Sequence, residues 1–581
     1  MYRYLILAWT PADGRAMAAA QRIRRGLSGV RTGWEEVLAS KGLSVFHSGV
    51  RPGTSEATRL TGAAGVVLGK LFGTAGNGSG LAGRDWGRYV AVVRDAATQE
   101  ISVLRDPTGA LPCFHAECDG VNLFFSDLTT VLDLGLIRPS INWRYVAAAV
   151  AYSALQIRAT GLNEVTEVLA GERVVLREGS LQRSFAWHPV QIAQHAPFED
   201  VGIAVMRLRE TTRECVQAWA ASYRGLLHNL SGGLDSSIVL SCLQDMPRRP
   251  PLTCLHYFVA GRDEDERRYA RLAAKRAGVE LIERELDPAN IPLETVLKIR
   301  RSPKPWFYLH EIERSEIENR LAEERGATGL VSGAGGDSLF YQSRADLAVA
   351  DYLERHGLSP RLFGVALNAA RIAHASVWAM LRGALRSRFA RRRWNPVREA
   401  GEHRTVINPA VIEAVRADDT LLHPWFTSVE RLPPGKLWHV ISLSLAPAFY
   451  DSFGREEAPE RTLPLLSQPL IELALRTPTW LSTAGGQDRS IARRAFSGDV
   501  PAEIVRRRAK GAIDHYSRRI LDRNLEFVRE TLLEGLLVRE GILDRHGLER
   551  QLSRERSPAD FEYNEILNQH LCTEAWLRRM S

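Results

Sequence analysis

Two short stretches each set small residues and one aspartate directly after an apolar run. The first, SGGLDSS at 231–237, follows Leu226, Leu227 and Leu230 and precedes Ile238, Val239, Leu240 and Leu243. A strand, a tight glycine turn and a helix satisfy both flanks. Such a turn aims backbone N–H groups and a helix N-terminus at one point, where an anion is stabilised. Ser236 and Ser237 add hydroxyl donors in the first helical turn. The second stretch, VSGAGGDSLF at 331–340, places Ser332, Gly333, Gly335 and Asp337 in the same relation to a strand. Neither carries the lysine of the common G-x-x-x-x-G-K-[ST] phosphate loop. One such turn is weak evidence, but two with an aspartate each form a constellation. Asp235 and Asp337 are expected to share one Mg²⁺, a hard ion that takes few protein ligands, on bound phosphates.

The elements that must hold these turns read as an alternation of strands and helices. LLHNLSGG, LTCLHYFVA, ELIEREL and TGLVSGAGG are strand-like, and DEDERRYARLAAKRAGV between them is helical by spacing, with Tyr269, Leu272, Ala273 and Ala277 on one face. The alternation predicts a parallel sheet with ligands at the strand carboxyl ends. Ahead of it lie short strands with glycine-rich turns: the opening MYRYLILAW, then AAGVVLGKLFG, RYVAVVRDAA, EISVLRDPTG, NLFFSD and ERVVLREGSLQ. Beyond about residue 345 the chain reads as mainly helical. The break between halves is expected near WHPVQIAQHAPFED, giving domains 1–195 and 196–581.

The chain has 581 residues, too many for one core, with 45% hydrophobic and 25% charged residues, as in an ordinary soluble globular protein. No apolar run reaches membrane-spanning length, so no membrane is expected as partner. Six cysteines are scattered without metal-ligand spacing, which predicts a reduced, cytoplasmic setting. Net charge is +8, which admits acidic partners without demanding them. LRGALRSRFARRRWNPVR at 381–398 holds seven arginines and no acid. It reads as a solvated loop or as a docking surface for an acidic peptide or protein, with RNA the remaining option.

SGGLDSS resembles the pyrophosphate-binding loop of the N-type ATP pyrophosphatases, and the whole chain resembles the asparagine synthetase class of amide-forming enzymes. DERRYA at 265–270, SGAGGD at 332–337, PLLSQPLIELALRTP at 464–478, GGQDRSIARRAF at 485–496 and VRRRAKGAI at 505–513 sit in that family's order. GRYVAVVRD, LRDPTG and LFFSDLTTVL are similar to strands of its glutaminase domain. The resemblance implies an α/β protein with an N-terminal glutaminase-like αββα domain of the Ntn type. A C-terminal pyrophosphatase-type (PP-loop) synthetase domain would follow, with a parallel sheet and added helices. It implies ATP and Mg²⁺ as cofactors, with Leu230, Ser231, Gly232, Gly233, Asp235, Ser236, Ser237, Ser332, Gly333 and Gly335 at the nucleotide and Asp235 and Asp337 at the metal. Lys510 would carry charge to the developing oxyanion and leaving phosphate. Arg489 stands where the family usually has a phosphate-facing lysine.

The departures are informative. The family's glutaminase needs an N-terminal cysteine whose thiol attacks glutamine; here Tyr2 follows Met1, and no cysteine precedes Cys113. Ala334 replaces the glutamate of asparagine synthetases and the tyrosine of β-lactam synthetases. An amine that arrives on the substrate then becomes the nucleophile. An α-amino group, with pKa about 7.7–8.0, is partly neutral at pH 7 without a strong base. Glutaminase-dead chains of this kind resemble the lasso peptide cyclases. These adenylate an Asp or Glu side chain of a precursor peptide and join it to the peptide's N-terminal amine. That resemblance implies a precursor peptide, a leader-binding protein and a leader peptidase as partners, and no nucleic acid. Trp306, Phe307, Trp438 and His439 are candidate walls for a peptide pocket. Other amide formers, a tRNA-modifying pyrophosphatase and a non-catalytic peptide scaffold are the alternatives.

Overall fold

The computed structural model describes all residues except 30–32, 61–63, 74–80, 154, 196–199, 260–264, 288–290, 292, 299, 306–310, 390–396, 398–404, 428–431, 445–457, 509–513 and 554–565. It is a mixed α/β protein. The strands of the first part are β1 (Arg3–Ala8), β2 (Glu35–Ser40), β3 (Leu43–Ser48), β4 (Glu56–Arg59), β5 (Ala64–Phe72), β6 (Trp86–Arg94), β7 (Ile101–Arg105), β8 (Phe114–Cys118), β9 (Val121–Phe125), β10 (Thr166–Glu167), β11 (Glu172–Arg177) and β12 (Ser180–Phe185). They form two sheets, ordered β10-β8-β9-β1-β3-β2 and β12-β11-β7-β6-β5-β4.

The layering follows from the period of two along each strand. Tyr4, Ile6 and Ala8 of β1 share a buried core with Val66 and Leu68 of β5 and Val90 and Val92 of β6, so the two sheets face each other. Leu5 and Leu7 point the other way, onto Ala16, Ala19, Ala20, Ile23 and Leu27 of the helix Gly14–Gly29. The opposite face of the second sheet, with Val67, Tyr89 and Ala91, belongs to a core that also takes in Trp219 of the helix Val201–Ala221 and Leu470 of the helix Gln468–Arg476. The cover of that sheet is thus contributed largely by residues that come after it in the chain.

The third sheet is parallel throughout: β13 (Leu226–Asn229), β14 (Leu252–Phe258), β15 (Glu280–Glu285), β16 (Gly329–Ser332) and β17 (Glu460–Thr462), in the order β15-β14-β13-β16-β17. The chain runs outward from β13 through β14 to β15, then returns to the other side of β13. That reversal opens a crevice at the carboxyl ends of β13 and β16, the strands that lead into the two aspartate-bearing turns. The helix Arg267–Ala277 buries Ala270, Ala273, Ala274 and Ala277, and Gly278 closes it at φ 60°. Tyr269 and Leu272 are half-buried on its flank.

β17 is a strand within an end that is otherwise mainly helical, as expected: three residues between Pro459 and Pro464 carry too little pattern to announce a strand, yet they pair with β16. The rest of that region is helical, and Val349, Leu353, Leu362, Ala366, Met380 and Ala384 build a small separate core. The arginine-rich stretch begins as helix, within Val377–Phe389, with Arg382 and Arg386 exposed, rather than as a loop; most of its remainder lies outside the described residues. No helix among the described residues is long and apolar enough to cross a membrane. Cys113, Cys215, Cys242, Cys254 and Cys572 are buried thiols, and Cys118 is half-buried.

Candidate nucleotide site

β13 is buried except at its last residue and delivers the chain to Ser231. Gly232 turns it at φ 78°, pressed against Glu266 and Ala270 of the neighbouring helix, where a Cβ would lie 2.8 Å from the Ala270 nitrogen. Gly233 caps the helix Leu234–Gln244, which carries Asp235 in its first turn. The loop fastens itself: Ser231 N–H donates to Ser236 Oγ (3.2 Å), and Gly233 N–H donates to Ser231 Oγ (3.2 Å). Beneath it His228 lies fully buried with Nε2 2.9 Å from the Ser236 carbonyl. Burial drives its pKa down to about 4, so it is a neutral strut.

The second turn closes on the first. A Cβ on Gly333 would stand 2.3 Å from the Ser236 nitrogen, so only glycine lets the two turns touch. Asp337 sits in the first turn of the short helix Gly336–Leu339. Both aspartates meet one cation: Arg489 Nη1 lies 2.9 Å from Asp235 Oδ2 and 3.0 Å from Asp337 Oδ1. Arg489 Nε in turn donates to Asp488 (2.8 Å), and Asp488 is held by Arg493 (2.7 Å). Burial alone would pull the Arg489 pKa down, but Asp235, Asp488 and Asp337 outweigh it and hold it above its usual value.

These groups line a cavity of about 270 Å³. Its lining includes Ser231, Gly233, Asp235, Ser236, Ser332, Gly333, Ala334 and Asp337 from the two turns, and the guanidiniums of Arg314, Arg461, Arg489, Arg493 and Arg507. Several of these guanidiniums are tethered: Arg461 to Glu318 (2.9 Å), Arg507 to Glu266 (2.6 Å) and over the Tyr269 ring. Two glycine turns, a helix N-terminus and five guanidiniums around one space are chemistry for a polyphosphate. Two carboxylates on a common point are a donor set that fits Mg²⁺, with its few protein ligands.

Of the expected nucleotide residues, Leu230, Gly232, Ser237 and Gly335 do not line this cavity. Gly232 and Gly335 shape the turns from behind, Gly335 at φ 81° against Leu466. Ser237 is buried in its helix. Arg489 stands in the cavity; Lys510, Trp306 and Phe307 lie outside the described residues. His439 is core, Nε2 at 3.1 Å from the Leu339 carbonyl, with burial lowering its pKa to about 3. Trp438 is half-buried and donates to Ser343 Oγ (3.2 Å). Neither borders the cavity. Arg493 and Arg507 lie inside motifs quoted above, so those motifs pointed to them; Arg314 and Arg461 lie in stretches with no pattern to mark them.

Near the start of β1 the side chains are packed. Tyr2 is 8% exposed, its ring edge-on to His47 at 5.9 Å, and its hydroxyl donates to the Glu56 carbonyl (3.2 Å). Cys113, the first thiol in the chain, is fully buried, and burial pushes its pKa up to about 11.

A parallel sheet with this cavity at its reversal point defines an α/β protein whose candidate site has the chemistry for a polyphosphate. Residues 207–578 match the asparagine synthase family, and the chain belongs to that family. Membership implies ATP-dependent C–N bond formation, by a ligase that uses ATP, typically with Mg²⁺. No curated protein matches the chain. Among solved structures it is similar to the U34-tRNA thiolase NcsA from Methanococcus maripaludis with its [4Fe-4S] cluster. That likeness has 12% identity over 40% of this chain and 80% of that one, with a TM-score of 0.18. A second is the allosteric regulatory enzyme of purine biosynthesis, with 11% identity over 49% of this chain and 74% of that one and a TM-score of 0.16. Scores this low carry no argument about either.

Proposed function

We propose that this protein is an ATP-dependent, AMP-forming macrolactam synthetase of the lasso peptide cyclase kind. It activates an Asp or Glu side-chain carboxylate of a precursor peptide and joins it to the peptide's N-terminal amine. The observation that carries this reading is the pairing of a packed Tyr2 with a separate cavity lined by two glycine turns and five guanidiniums. With Tyr2 where the resemblance would place the glutaminase thiol and Cys113 fully buried, the amine would come from the substrate. Ala334 at the cavity wall does no proton chemistry, which suits an α-amine that is partly neutral near pH 7. Asp235 and Asp337 would hold Mg²⁺, which would neutralise phosphate charge; the turn N–H groups and the arginines would orient the polyphosphate. Lys510 would stabilise charge on the reacting acyl centre and leaving phosphate. The division at 195/196, the Ntn-type and PP-loop assignments, the leader-binding protein and leader peptidase as partners, and a cytoplasmic setting without nucleic acid belong to the same proposal.

The test is direct. The purified protein, ATP, Mg²⁺ and a linear core peptide should give AMP, pyrophosphate and a peptide lighter by one water. An amide formed only with an added separate amine would make the protein another amide former of this family. Peptide binding without ATP turnover would make it a scaffold.

A further inference from the structure

The point between Asp235 and Asp337 already holds a cation, and that cation belongs to the chain. Arg489 Nη1 is within hydrogen-bond distance of Asp235 Oδ2 (2.9 Å) and Asp337 Oδ1 (3.0 Å), and the Arg489 side chain is 8% exposed. Two carboxylates facing one space repel unless a positive charge sits between them. A guanidinium supplies that charge with a fixed fork of donors. Its second edge is anchored: Nε donates to Asp488 at 2.8 Å, and Arg493 holds Asp488 through both its side chain (2.7 Å) and its carbonyl (2.8 Å). The backbone is committed as well. Arg489 sits at φ 52°, ψ 33°, a left-handed conformation unfavourable for a residue with a Cβ, which persists only where its surroundings enforce it.

We infer that Arg489 is a resident cation that occupies the divalent-ion position until nucleotide arrives, and that the metal enters only together with the phosphates that draw the guanidinium away. This rests on the proposed reading that Asp235 and Asp337 are the metal-holding pair. The charge count supports an exchange. Two carboxylates and one guanidinium leave one net negative charge, a weak site for a free divalent ion. A polyphosphate offers Nη1 new acceptors, and the vacated carboxylates then face the incoming ion. Asp488, which does not touch the shared point, remains as a pivot. The arrangement sets an order of binding: no metal first, then metal and nucleotide as one.

Mn²⁺ titrations followed by electron paramagnetic resonance, without nucleotide, test this. The wild-type protein should bind Mn²⁺ poorly, and Arg489→Gln should bind it at least about tenfold more tightly, because one competing charge is gone. Arg489→Gln/Asp337→Asn should lose that gain. Arg489→Lys, which keeps a charge at the position, should stay close to wild type and guards against a folding artefact; thermal unfolding of each variant is followed alongside. Equal Mn²⁺ affinity in the wild type and Arg489→Gln overturns the resident cation, and leaves the metal pair standing if Asp235→Asn and Asp337→Asn weaken Mn²⁺ binding in the presence of ATP. If neither asparagine variant weakens Mn²⁺ binding with ATP, the metal reading itself falls, and the inference with it.

Discussion

Glu460 and Arg461 are neighbours on β17 and serve opposite sides of the molecule. The Glu460 carboxylate meets Lys70 of β5 (3.5 Å) and Arg88 of β6 (3.6 Å), and Lys70 also lies 3.8 Å from the centre of the Tyr223 ring. The Arg461 guanidinium pairs with Glu318 (2.9 Å) and borders the polyphosphate cavity. A three-residue strand therefore ties the second antiparallel sheet to the nucleotide wall. The first part of the chain thereby takes part in holding the cavity wall in place.

Glu460→Gln should accordingly act at two places. It leaves Lys70, 7% exposed in its side chain, without its acid, and breaking a buried pair in this way costs roughly 3–5 kcal/mol. Denaturant unfolding should show that loss, and a surviving fold should bind ATP more weakly because Arg461 is no longer held in register. Unchanged stability would mean that the interface does not depend on this pair.

Glutamine should support no activity. With Tyr2 packed on His47 and Cys113 fully buried, neither position offers a thiol to glutamine. Glutamate release measured against enzyme concentration should stay at background, and a slope would contradict the assignment of the amine to the substrate.

The two aspartates should separate in their effect on stability but not on activity. Asp337 is 42% exposed in its side chain, so Asp337→Asn should shift stability by only about 0.5 kcal/mol. Asp235 is 10% exposed and pairs with buried Arg489, so Asp235→Asn should cost more, about 1–3 kcal/mol. Both should lower ATP–pyrophosphate exchange by about 10² or more, since each removes charge aimed at the reacting phosphates. Exchange at the wild-type rate in either variant would defeat the shared-metal reading.

The fold should weaken on mild acidification. Burial holds His228 and His115 at about 4 and His423 and His439 at about 3, below an unfolded value near 6.5. A depressed folded pKa contributes stability that is complete above the unfolded pKa and lost as pH falls toward the folded one. Below pH 6.5 the unfolded chain therefore binds more protons, and each such histidine adds up to about 1.4 kcal/mol per pH unit to the slope. Asp351, pushed up by burial beside Lys436, works in the opposite sense over the same fall in pH. Unfolding free energies at pH 7 and pH 5.5 should differ in the stated direction, and His439→Gln should make that slope shallower.

The sequence announced what local pattern controls. Glycine-aspartate turns after apolar runs need few neighbours to be recognised, and β13, β14, β15 and β16 carry enough apolar residues to be read. What stayed hidden depends on contacts distant in the chain. β17 is too short to carry a pattern, and it exists because β16 offers it an edge. Arg461 and Arg314 look like any surface arginine until the sheet brings them to the cavity. Tyr2 showed which atom was missing, whereas its packing on His47 and the Lys70–Glu460 contact needed the fold. His439, next to an aromatic in GKLWHVI, looked like a wall, but a buried ring on the Leu339 carbonyl is core.

The last prediction concerns Lys510 and the order of steps. In the proposed function its R-x-K-G setting would give it the task of stabilising negative charge on the acyl carbon's oxygen and on the departing phosphate. A group with that task matters at the transition state far more than in the ground state, so its loss should fall on turnover and spare binding. Removing one such donor typically costs about 10²–10³ in rate. ATP affinity should change little, because the turns at 231–237 and 332–337 and the arginines of the cavity carry it. Lys510→Ala should therefore bind ATP and peptide, with or without a little AMP, yet yield almost none of the peptide that is lighter by one water. Isothermal titration for binding and mass spectrometry for product separate the two effects. A variant that still cyclised at more than half the normal rate would return Lys510 to an ordinary solvated residue in a basic stretch, and the oxyanion would need another partner among the cavity arginines.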